Sequence, residues 1–302
     1  MPEATGKALP SIGWIGTGVM GAPMASHLLD AGYELTVFNR TRQKAQTLVA
    51  GGATPADSPQ EAAEGADVVC TMLGYPHDVE STVLGAGGVL TAMRPGSLLI
   101  DLTTSEPSLA VAIHEAATER GIDALDAPVS GGDVGARNGA LVIMVGGDAE
   151  AFRRAEPLLS VFGRAVTLQG GPGSGQHTKM VNQIAIASGM VGLCEAMLYA
   201  QRAGLSVEGV LDTIKDGAAG SWSMSNYGPR LIKGDLEPGF KVDHFVKDLG
   251  VALGEARRMK LPLPGTALAD QLYVAAQGQG FGQKGTQALL KTLERIAAEP
   301  PH

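Results

Sequence analysis

Short apolar runs alternate with helical patterns along the first 170 residues of the chain. The apolar runs that we predict as strands are bounded by turn residues. They cover residues 11–15, 34–38, 67–72, 98–102, 123–127 and 141–145. Patterns typical of helices fall between them, at 21–31, 44–50, 59–64, 79–83 and 108–120. This β–α alternation predicts an α/β fold with a doubly wound, mainly parallel sheet.

The pattern changes near residues 170–175, after which we find no convincing strand. Helical spacing of Ala, Met, Leu and Ile continues instead almost to the end of the sequence. The predicted helices cover 177–203, 207–216, 245–259, 264–276 and 283–298. The four predicted parts of the chain are a disordered leader (1–10), the α/β domain (11–173), a long interdomain helix (174–202) and an all-helical substrate and oligomerisation domain (203–302).

Charge and cysteine usage narrow the range of partners. The 302 residues carry a formal net charge of −8, and the Lys and Arg residues form no block. Binding to nucleic acid or to a membrane surface therefore lacks its electrostatic basis. The apolar runs are short and carry polar interruptions, so we expect no transmembrane helix. Two isolated cysteines, Cys70 and Cys194, predict buried thiols, a reducing compartment and a cytoplasmic location.

Glycine accounts for 42 residues, about twice its usual share, and its clusters mark candidate ligand sites. The first cluster, residues 16–21, fits G-x-G-x-x-G between a predicted strand and a predicted helix. Gly16 would make a tight turn, Gly18 would let the backbone approach a pyrophosphate, and Gly21 would allow close helix–strand packing. We therefore predict a Rossmann-type dinucleotide-binding domain. The cofactor-binding residues of this loop are Gly16, Gly18, Val19, Met20 and Gly21.

The end of the second predicted strand indicates which dinucleotide is bound. NAD sites place Asp or Glu there to hold the ribose 2′-hydroxyl. This chain has Asn39-Arg40-Thr41, with no carboxylate. Arg40 would attract a 2′-phosphate, and Asn39 and Thr41 could donate hydrogen bonds to it. The sequence predicts NADPH in preference to NADH.

Two further segments are candidates for binding and chemistry. Ser130, Gly131 and Gly132 follow a predicted strand and form either a small anion-binding nest or a structural turn. A glycine-rich approach leads into the long helix, where Lys179 and Asn182 share a face and Gln183 lies one turn from Lys179. A desolvated lysine there could donate a proton to a carbonyl oxygen, although most lysines only extend along a surface.

These residues carry a resemblance to the β-hydroxyacid dehydrogenase family, which includes 3-hydroxyisobutyrate dehydrogenase, tartronate semialdehyde reductase and the glyoxylate and succinic semialdehyde reductases. The resemblance runs from residue 12 to about residue 293. Three motifs match in order: the glycine loop continuing into residues 39–41, the segment 126–132, and the segment 171–182 with its lysine. Within this family the second motif binds substrate and the lysine is catalytic, which the resemblance assigns here to Lys179.

The resemblance also implies sites that the residues alone do not indicate. It assigns Leu73, Thr104, Phe240 and Lys247 to the cofactor, and it implies a C-terminal domain like that of 6-phosphogluconate dehydrogenase. The substrate-binding residues that it implies are Ser130, Gly131, Gly132 and Asn182, to which the position of Gln183 beside Lys179 on the helix adds Gln183. Separately from the resemblance, the apolar helical half of the chain suggests a homodimer or homotetramer. In this chain the loop after Leu73 lacks the proline that the family commonly has directly after the leucine. This difference concerns the identity of the substrate more than the type of reaction.

The sequence therefore predicts an NADP-dependent oxidoreductase that transfers a hydride between the nicotinamide and a small β-hydroxyacid or its semialdehyde. Two alternatives stay open: an imine reductase on the same scaffold, and a non-catalytic NADPH-binding module. The presence of Lys179 argues against both. No metal is expected, because the histidines show no metal-ligand spacing. The polar segment around Trp222 and Tyr227 is predicted as a loop that either lines the substrate cleft or is structural.

Overall fold

The computed structural model describes residues 9–298 of the chain. These residues divide into two compact units, the first ending at Lys179 and the second beginning at Met180. Most of the leader expected at residues 1–10 lies outside the described residues. Leu9 and Pro10, which are described, form no regular secondary structure.

The first unit is built on one nine-stranded sheet. Its strands are β1 (Ile12–Ile15), β2 (Leu35–Phe38), β3 (Thr54–Pro55), β4 (Val68–Thr71), β5 (Leu98–Asp101), β6 (Asp123–Asp126), β7 (Val129–Ser130), β8 (Leu141–Gly146) and β9 (Gly163–Gly170). The order is β3-β2-β1-β4-β5-β6-β8-β7, with β9 paired to β8. The first six strands run parallel, and β8 is antiparallel to β6 and β7. This confirms the predicted doubly wound, mainly parallel sheet.

The central strands are apolar on both faces because helices cover both sides of the sheet. Along β1, Ile12 and Trp14 pack into one hydrophobic cluster and Ile15 packs into the cluster on the opposite face. The same alternation separates Cys70 from Val69 on β4. This two-sided burial explains why the strands appear in the sequence as continuous apolar runs.

Helices connect the strands of the first unit. They are α1 (Gly21–Asp30), α2 (Gln46–Ala50), α3 (Pro59–Ala63), α4 (Pro76–Leu84), α5 (Pro107–Thr118), α6 (Gly132–Arg137) and α7 (Ala149–Leu159). The sequence analysis did not predict α6, α7 or the strands β3, β7 and β9. Strand β9 lies next to β8 with most of its residues partly or fully exposed, so it has too few apolar positions to stand out. Helix α7 contains Pro157, a residue that disfavours a helix prediction, and α6 is only six residues long.

The long helix α8 (Ser174–Arg202) begins in the first unit and continues into the second. By length and composition it is apolar enough to cross a membrane, a test that core helices of soluble proteins also pass. Its buried residues nevertheless include the polar side chains of Gln176, Lys179 and Gln183. The polar interruptions noted in the sequence thus lie inside one uninterrupted helix.

Up to residue 298, the second unit consists of the rest of α8 with five further helices, together with a short 3₁₀ turn at Thr286–Ala288. These helices are α9 (Val207–Ile214), α10 (Trp222–Ile232), α11 (Val242–Arg258), α12 (Pro264–Gly278) and α13 (Leu289–Ile296). They enclose a core of their own, centred on Phe245 and Tyr273. This helical region confirms the predicted all-helical C-terminal half.

One element of this unit corrects the sequence analysis. The segment around Trp222, predicted as a loop, is the start of helix α10. The Ser221 hydroxyl accepts a hydrogen bond from the Met224 N–H at 3.1 Å and so caps the helix. Met224, Tyr227 and Leu231 are buried at helical spacing, a signal that the polar residues between them obscured.

Candidate active site

The first glycine loop forms a tight turn at the end of β1. Gly16 has φ of +100°, and a side chain on it would overlap the carbonyl oxygen of Met72. A side chain on Gly21 would likewise overlap the carbonyl oxygen of Gly16, whereas Gly18 has open space beside it. The indole N–H of Trp14 donates to the Gly16 carbonyl at 2.9 Å and holds the turn from the core side. The backbone conformation at Gly16 and the close approach at Gly21 therefore both require glycine.

The start of α1 has the features of a phosphate-binding helix end. Met20 precedes the helix, and no side chain caps it. Helix N-termini leave backbone N–H groups that attract anions. The hydroxyl of Thr17 is buried and has no hydrogen-bond partner among the described residues, while Val19 is exposed. A bare-backbone turn with an unsatisfied buried hydroxyl fits the pyrophosphate of a dinucleotide.

Asn39 and Arg40, which follow β2, differ in their contacts: Asn39 binds backbone groups, and Arg40 is exposed. The Asn39 side chain accepts a hydrogen bond from the Thr17 N–H at 2.8 Å and donates one to the Thr41 carbonyl at 2.9 Å. Asn39 thus ties the glycine loop to the next loop. The side chain of Arg40 is 90% exposed, and its guanidinium lies 3.7 Å from the Asp78 carboxylate. Arg40 is therefore the group at this position that can reach a ligand phosphate.

Two loops that follow β4 and β5 are joined to each other. The N–H of Leu73 donates to the Thr103 hydroxyl at 2.9 Å. The carboxylate of Asp101 accepts hydrogen bonds from the Thr71 hydroxyl at 2.7 Å and from the Thr103 N–H at 3.1 Å. Burial raises the pKa of Asp101 to about 6.

The first turn of α8 is tied to the same loop. The fully buried amide side chain of Gln176 donates to the Thr103 carbonyl at 2.7 Å and accepts from the Ser105 N–H at 2.9 Å. Thr104 lies between these two anchored residues. The carboxylate of Asp126 accepts from the N–H groups of Gly173 and Gln176, each at 2.8 Å. Burial raises the pKa of Asp126, although these N–H groups oppose the shift.

Lys179 lies one turn further along α8 and points to the second glycine segment. Its side chain is only 7% exposed, and its ammonium donates to the Val129 carbonyl at 2.8 Å. Ser130 follows Val129 directly. Gly131 and Gly132 have φ of +133° and +63°, which only glycine adopts readily. The predicted lysine and the predicted carboxylate-binding segment are thus adjacent.

In the second unit, Asn182 and Gln183 are joined to two residues of α11. The Asn182 amide donates to the Gln183 side-chain oxygen at 2.6 Å, and the Gln183 amide donates to the Asp248 carboxylate at 2.6 Å. The ammonium of Lys247 lies 2.7 Å from the other oxygen of Asp248. Gln183 is buried, with its amide held by this network. Phe240 packs against the aromatic core, 5.5 Å from the Phe245 ring centre.

His27 and His244 are partly buried. His27 bonds the carbonyl of Ala136 at 3.0 Å, and burial lowers the pKa of His244. Within residues 9–298, no group of three or more His, Cys, Asp or Glu side chains is placed to hold a metal ion.

In the first unit, the predicted cofactor residues lie where parallel strands end, so they share one edge of the sheet. Phe240 and Lys247 belong to the second unit. The sequence analysis missed the buried anchors Asp126, Gln176 and Asp248. Asp126 stands inside the second motif, but its role depends on a partner 50 residues away.

Comparison with known proteins agrees with this geometry. A model of the NAD-binding domain of 6-phosphogluconate dehydrogenase matches residues 11–171. A model described as the NAD-binding region of NADP-dependent 3-hydroxyisobutyrate dehydrogenase matches residues 173–293. These two models together cover almost the whole described chain.

Individual relatives match over nearly their full lengths. A probable mitochondrial 3-hydroxyisobutyrate dehydrogenase-like protein of Arabidopsis thaliana is 54% identical over 286 residues, covering 94% of this chain and 85% of the relative. An NAD-dependent L-serine dehydrogenase of Pseudomonas aeruginosa is 38% identical over 293 residues, covering 95% and 98%. The structure of Mycobacterium tuberculosis 3-hydroxyisobutyrate dehydrogenase with L-serine has a TM-score of 0.86 and 32% identity, covering 95% and 99%.

Fold, dinucleotide turn and relatives together define an NAD(P)-dependent oxidoreductase. Within this class, the segment 126–132 and the lysine segment 171–182 are typical of one family, because they follow the glycine loop in that family's order. The chain belongs to the β-hydroxyacid dehydrogenase family, which confirms the resemblance.

Proposed function

We propose that this protein catalyses reversible hydride transfer between NADP and a small β-hydroxyacid or its semialdehyde, with Lys179 as the proton donor and acceptor. The observation that carries the proposal is the hydrogen bond of 2.8 Å between the Lys179 ammonium and the Val129 carbonyl. It holds the ammonium beside Ser130, the residue that starts the carboxylate-binding segment. Relatives named for 3-hydroxyisobutyrate and L-serine support a substrate that carries both a carboxylate and a hydroxyl group.

The nicotinamide supplies or accepts the hydride, and the remaining chemistry falls to the chain. Ser130 and the bare backbone of Gly131 and Gly132 bind the substrate carboxylate. Lys179 donates a proton to the carbonyl oxygen during reduction and takes it back from the hydroxyl during oxidation. An ammonium has three donors, and the bond to Val129 orients the group. Asn182 orients the substrate by hydrogen bonding.

A substrate panel tests the reaction, and a variant tests the lysine. Small β-hydroxyacids and semialdehydes are assayed with NADPH and NADH, with cyclic imines as the alternative substrates. Lys179→Met keeps an unbranched side chain of similar bulk but removes the ammonium, so kcat should fall roughly 10²–10⁴-fold while NADPH binding is retained. Lys233→Met, at an exposed position, is the matched control. Near-normal turnover of Lys179→Met contradicts the role of the lysine, and activity on imines alone contradicts the reaction.

We further propose that NADP is preferred over NAD. Support comes from the exposed Arg40 guanidinium and from the absence of a carboxylate at Asn39, whose side chain instead joins two loops. Arg40→Ala should lower kcat/KM for NADPH and leave the value for NADH nearly unchanged. Arg42→Ala is a matched control, because Arg42 pairs with Asp57. An enzyme that is tenfold better with NADH contradicts this proposal.

We also propose that the protein is a homodimer or homotetramer. Support comes from α8, which leaves Val181 66% and Tyr199 76% exposed on an apolar helix. Apolar side chains exposed on a surface often mark contacts between chains. Light scattering coupled to gel filtration measures the mass of the assembly. A monomer at micromolar concentration contradicts the proposal, and a dimer that Val181→Glu dissociates assigns the contact to α8.

A further inference from the structure

The buried side chains of Asp126 and Gln176 attach the first turn of α8 to the rest of the first unit. Asp126 ends β6, and its carboxylate binds the N–H groups of Gly173 and Gln176, 47 and 50 residues away in the sequence. Three residues after Asp126, the carbonyl of Val129 accepts from the Lys179 ammonium, and Lys179 is three residues after Gln176. The segment 126–129 therefore binds the lysine helix at two successive turns. Asp126 binds at Gln176 and Val129 binds at Lys179, with a spacing of three residues on both segments.

Two glycines make room for this carboxylate. A side chain on Gly146 would overlap the Asp126 carboxylate and would come within 2.6 Å of the Gly175 nitrogen. A side chain on Gly175 would lie 2.8 Å from the other carboxylate oxygen and 2.6 Å from the Asp126 carbonyl oxygen. Close packing around Asp126 leaves its carboxylate little freedom, so the helix end cannot shift without breaking both hydrogen bonds.

Gln176 extends the same attachment to the cofactor side. Its amide binds the backbone of Thr103 and Ser105, and the Thr103 hydroxyl accepts from the Leu73 N–H. The family resemblance assigns Leu73 and Thr104 to the surroundings of the nicotinamide. A continuous chain of buried and partly buried hydrogen bonds therefore runs from the turn before Lys179 to the loops assigned to the cofactor.

We propose that Asp126 and Gln176 are positioning residues that fix the distance between the Lys179 ammonium and the nicotinamide. This inference rests on the proposed function. Neither residue touches substrate; each acts through the backbone that carries Lys179 or the loop at 103–105. A displacement of about 1 Å between reacting groups can slow an enzyme by roughly 10²-fold. Small changes in these two side chains should therefore affect the chemical step more than binding.

Two nearly isosteric variants test the proposal. Asp126→Asn keeps one acceptor oxygen but turns an amide N–H₂ toward a backbone N–H, and Gln176→Met removes both loop contacts at similar volume. Each should lower kcat roughly 10- to 100-fold with little change in the Kd of NADPH, and each should raise the isotope effect seen with deuterated NADPH. Ser58→Ala is the matched control, since it removes a capping bond of 3.1 Å from α3 of the same unit.

A double-variant comparison separates positioning from folding. In a Lys179→Met background, Asp126→Asn and Gln176→Met should cause almost no further loss of kcat, because the group that they position is gone. Equal losses with and without Lys179, or an unchanged isotope effect, overturn the proposal. If Asp126→Asn does not fold, Gln176→Met alone decides it. A wild-type enzyme without hydride transfer, or a fully active Lys179→Met, would instead overturn the proposed function.

Discussion

The buried carboxyl group of Asp101 makes the stability of the first unit depend on pH in an unusual direction. The side chain is 5% exposed at the end of β5, and it accepts hydrogen bonds from Thr71 and Thr103. Burial, with a smaller contribution from the neighbouring carboxylate of Asp126, raises its pKa to about 6. The hydrogen bonds oppose this shift without cancelling it. The folded protein therefore binds this proton more tightly than the unfolded chain does.

The sign and size of the effect follow from the two pKa values. The unfolded chain has a pKa of 3.8 at this residue, and the folded protein has about 6. Between these values the unfolded state loses the proton first, so stability falls as pH rises and the loss is complete above the folded pKa. Each pH unit of difference corresponds to about 1.4 kcal/mol, so the total is about 3 kcal/mol.

Asp101→Asn removes this penalty. The asparagine oxygen can still accept from Thr71 and Thr103, but the side chain cannot ionise. Relative to the wild type, the free energy of unfolding of the variant should therefore rise by about 2–3 kcal/mol between pH 4 and pH 8. The prediction concerns the change of this free-energy difference with pH, and not its absolute value at any one pH.

Urea unfolding followed by fluorescence measures this difference in the first unit alone. The chain has two tryptophans, and Trp14 is the fully buried one in the first unit. In a Trp222→Phe background, the fluorescence signal therefore comes from Trp14. Asp67→Asn is the control, because hydrogen bonds from Ser11 lower the pKa of Asp67 and its slope with pH should have the opposite sign. A pH-independent difference for Asp101→Asn, or a slope like that of Asp67→Asn, would refute the reasoning.

Three further predictions concern other parts of the chain. Gly16→Ala should abolish NADPH binding and lower the melting temperature, because φ of +100° and a nearby carbonyl exclude a side chain; normal binding by titration would contradict this. Burial raises the pKa of Cys194 to about 12 and raises that of Cys70 as well, so neither thiol should react with a thiol reagent before unfolding, and a fast native reaction would contradict it. Asp248→Asn should weaken the hold on Gln183 and raise the KM for substrate severalfold, and an unchanged KM would contradict this.

Much of the fold could be predicted from the sequence because its signals are local. Strands such as β1 and β4 are buried on both faces and are continuous apolar runs, and glycine motifs mark the turns beside them. Strand β9 gave a weak signal, because it lies beside β8 with most of its residues partly or fully exposed. Helix α10 was missed because serine and asparagine separate its buried positions. In both cases the structure depends on tertiary packing more than on local composition.

In the candidate site as well, some residues could be predicted from the sequence and others could not. Lys179 and Ser130 could be singled out because ordered motifs carry them. Asp126 and Gln176 could not, since nothing in the local sequence indicates that a carboxylate on β6 binds the backbone at the start of α8. The side chain of Asn39 shows a further limit: the sequence identifies the position that selects the cofactor, but the structure shows its amide bonded to two backbone groups.

The close packing around Asp126 has a consequence for protein engineering. Because a side chain at Gly146 or Gly175 would occupy the space of the carboxylate or press against its backbone, neither glycine can be replaced without displacing Asp126. Libraries aimed at new substrates should therefore leave Asp126 and these two glycines unchanged. Transfer of the lysine helix onto another scaffold would succeed only if strand β6, Gly146 and the glycine approach were transferred with it.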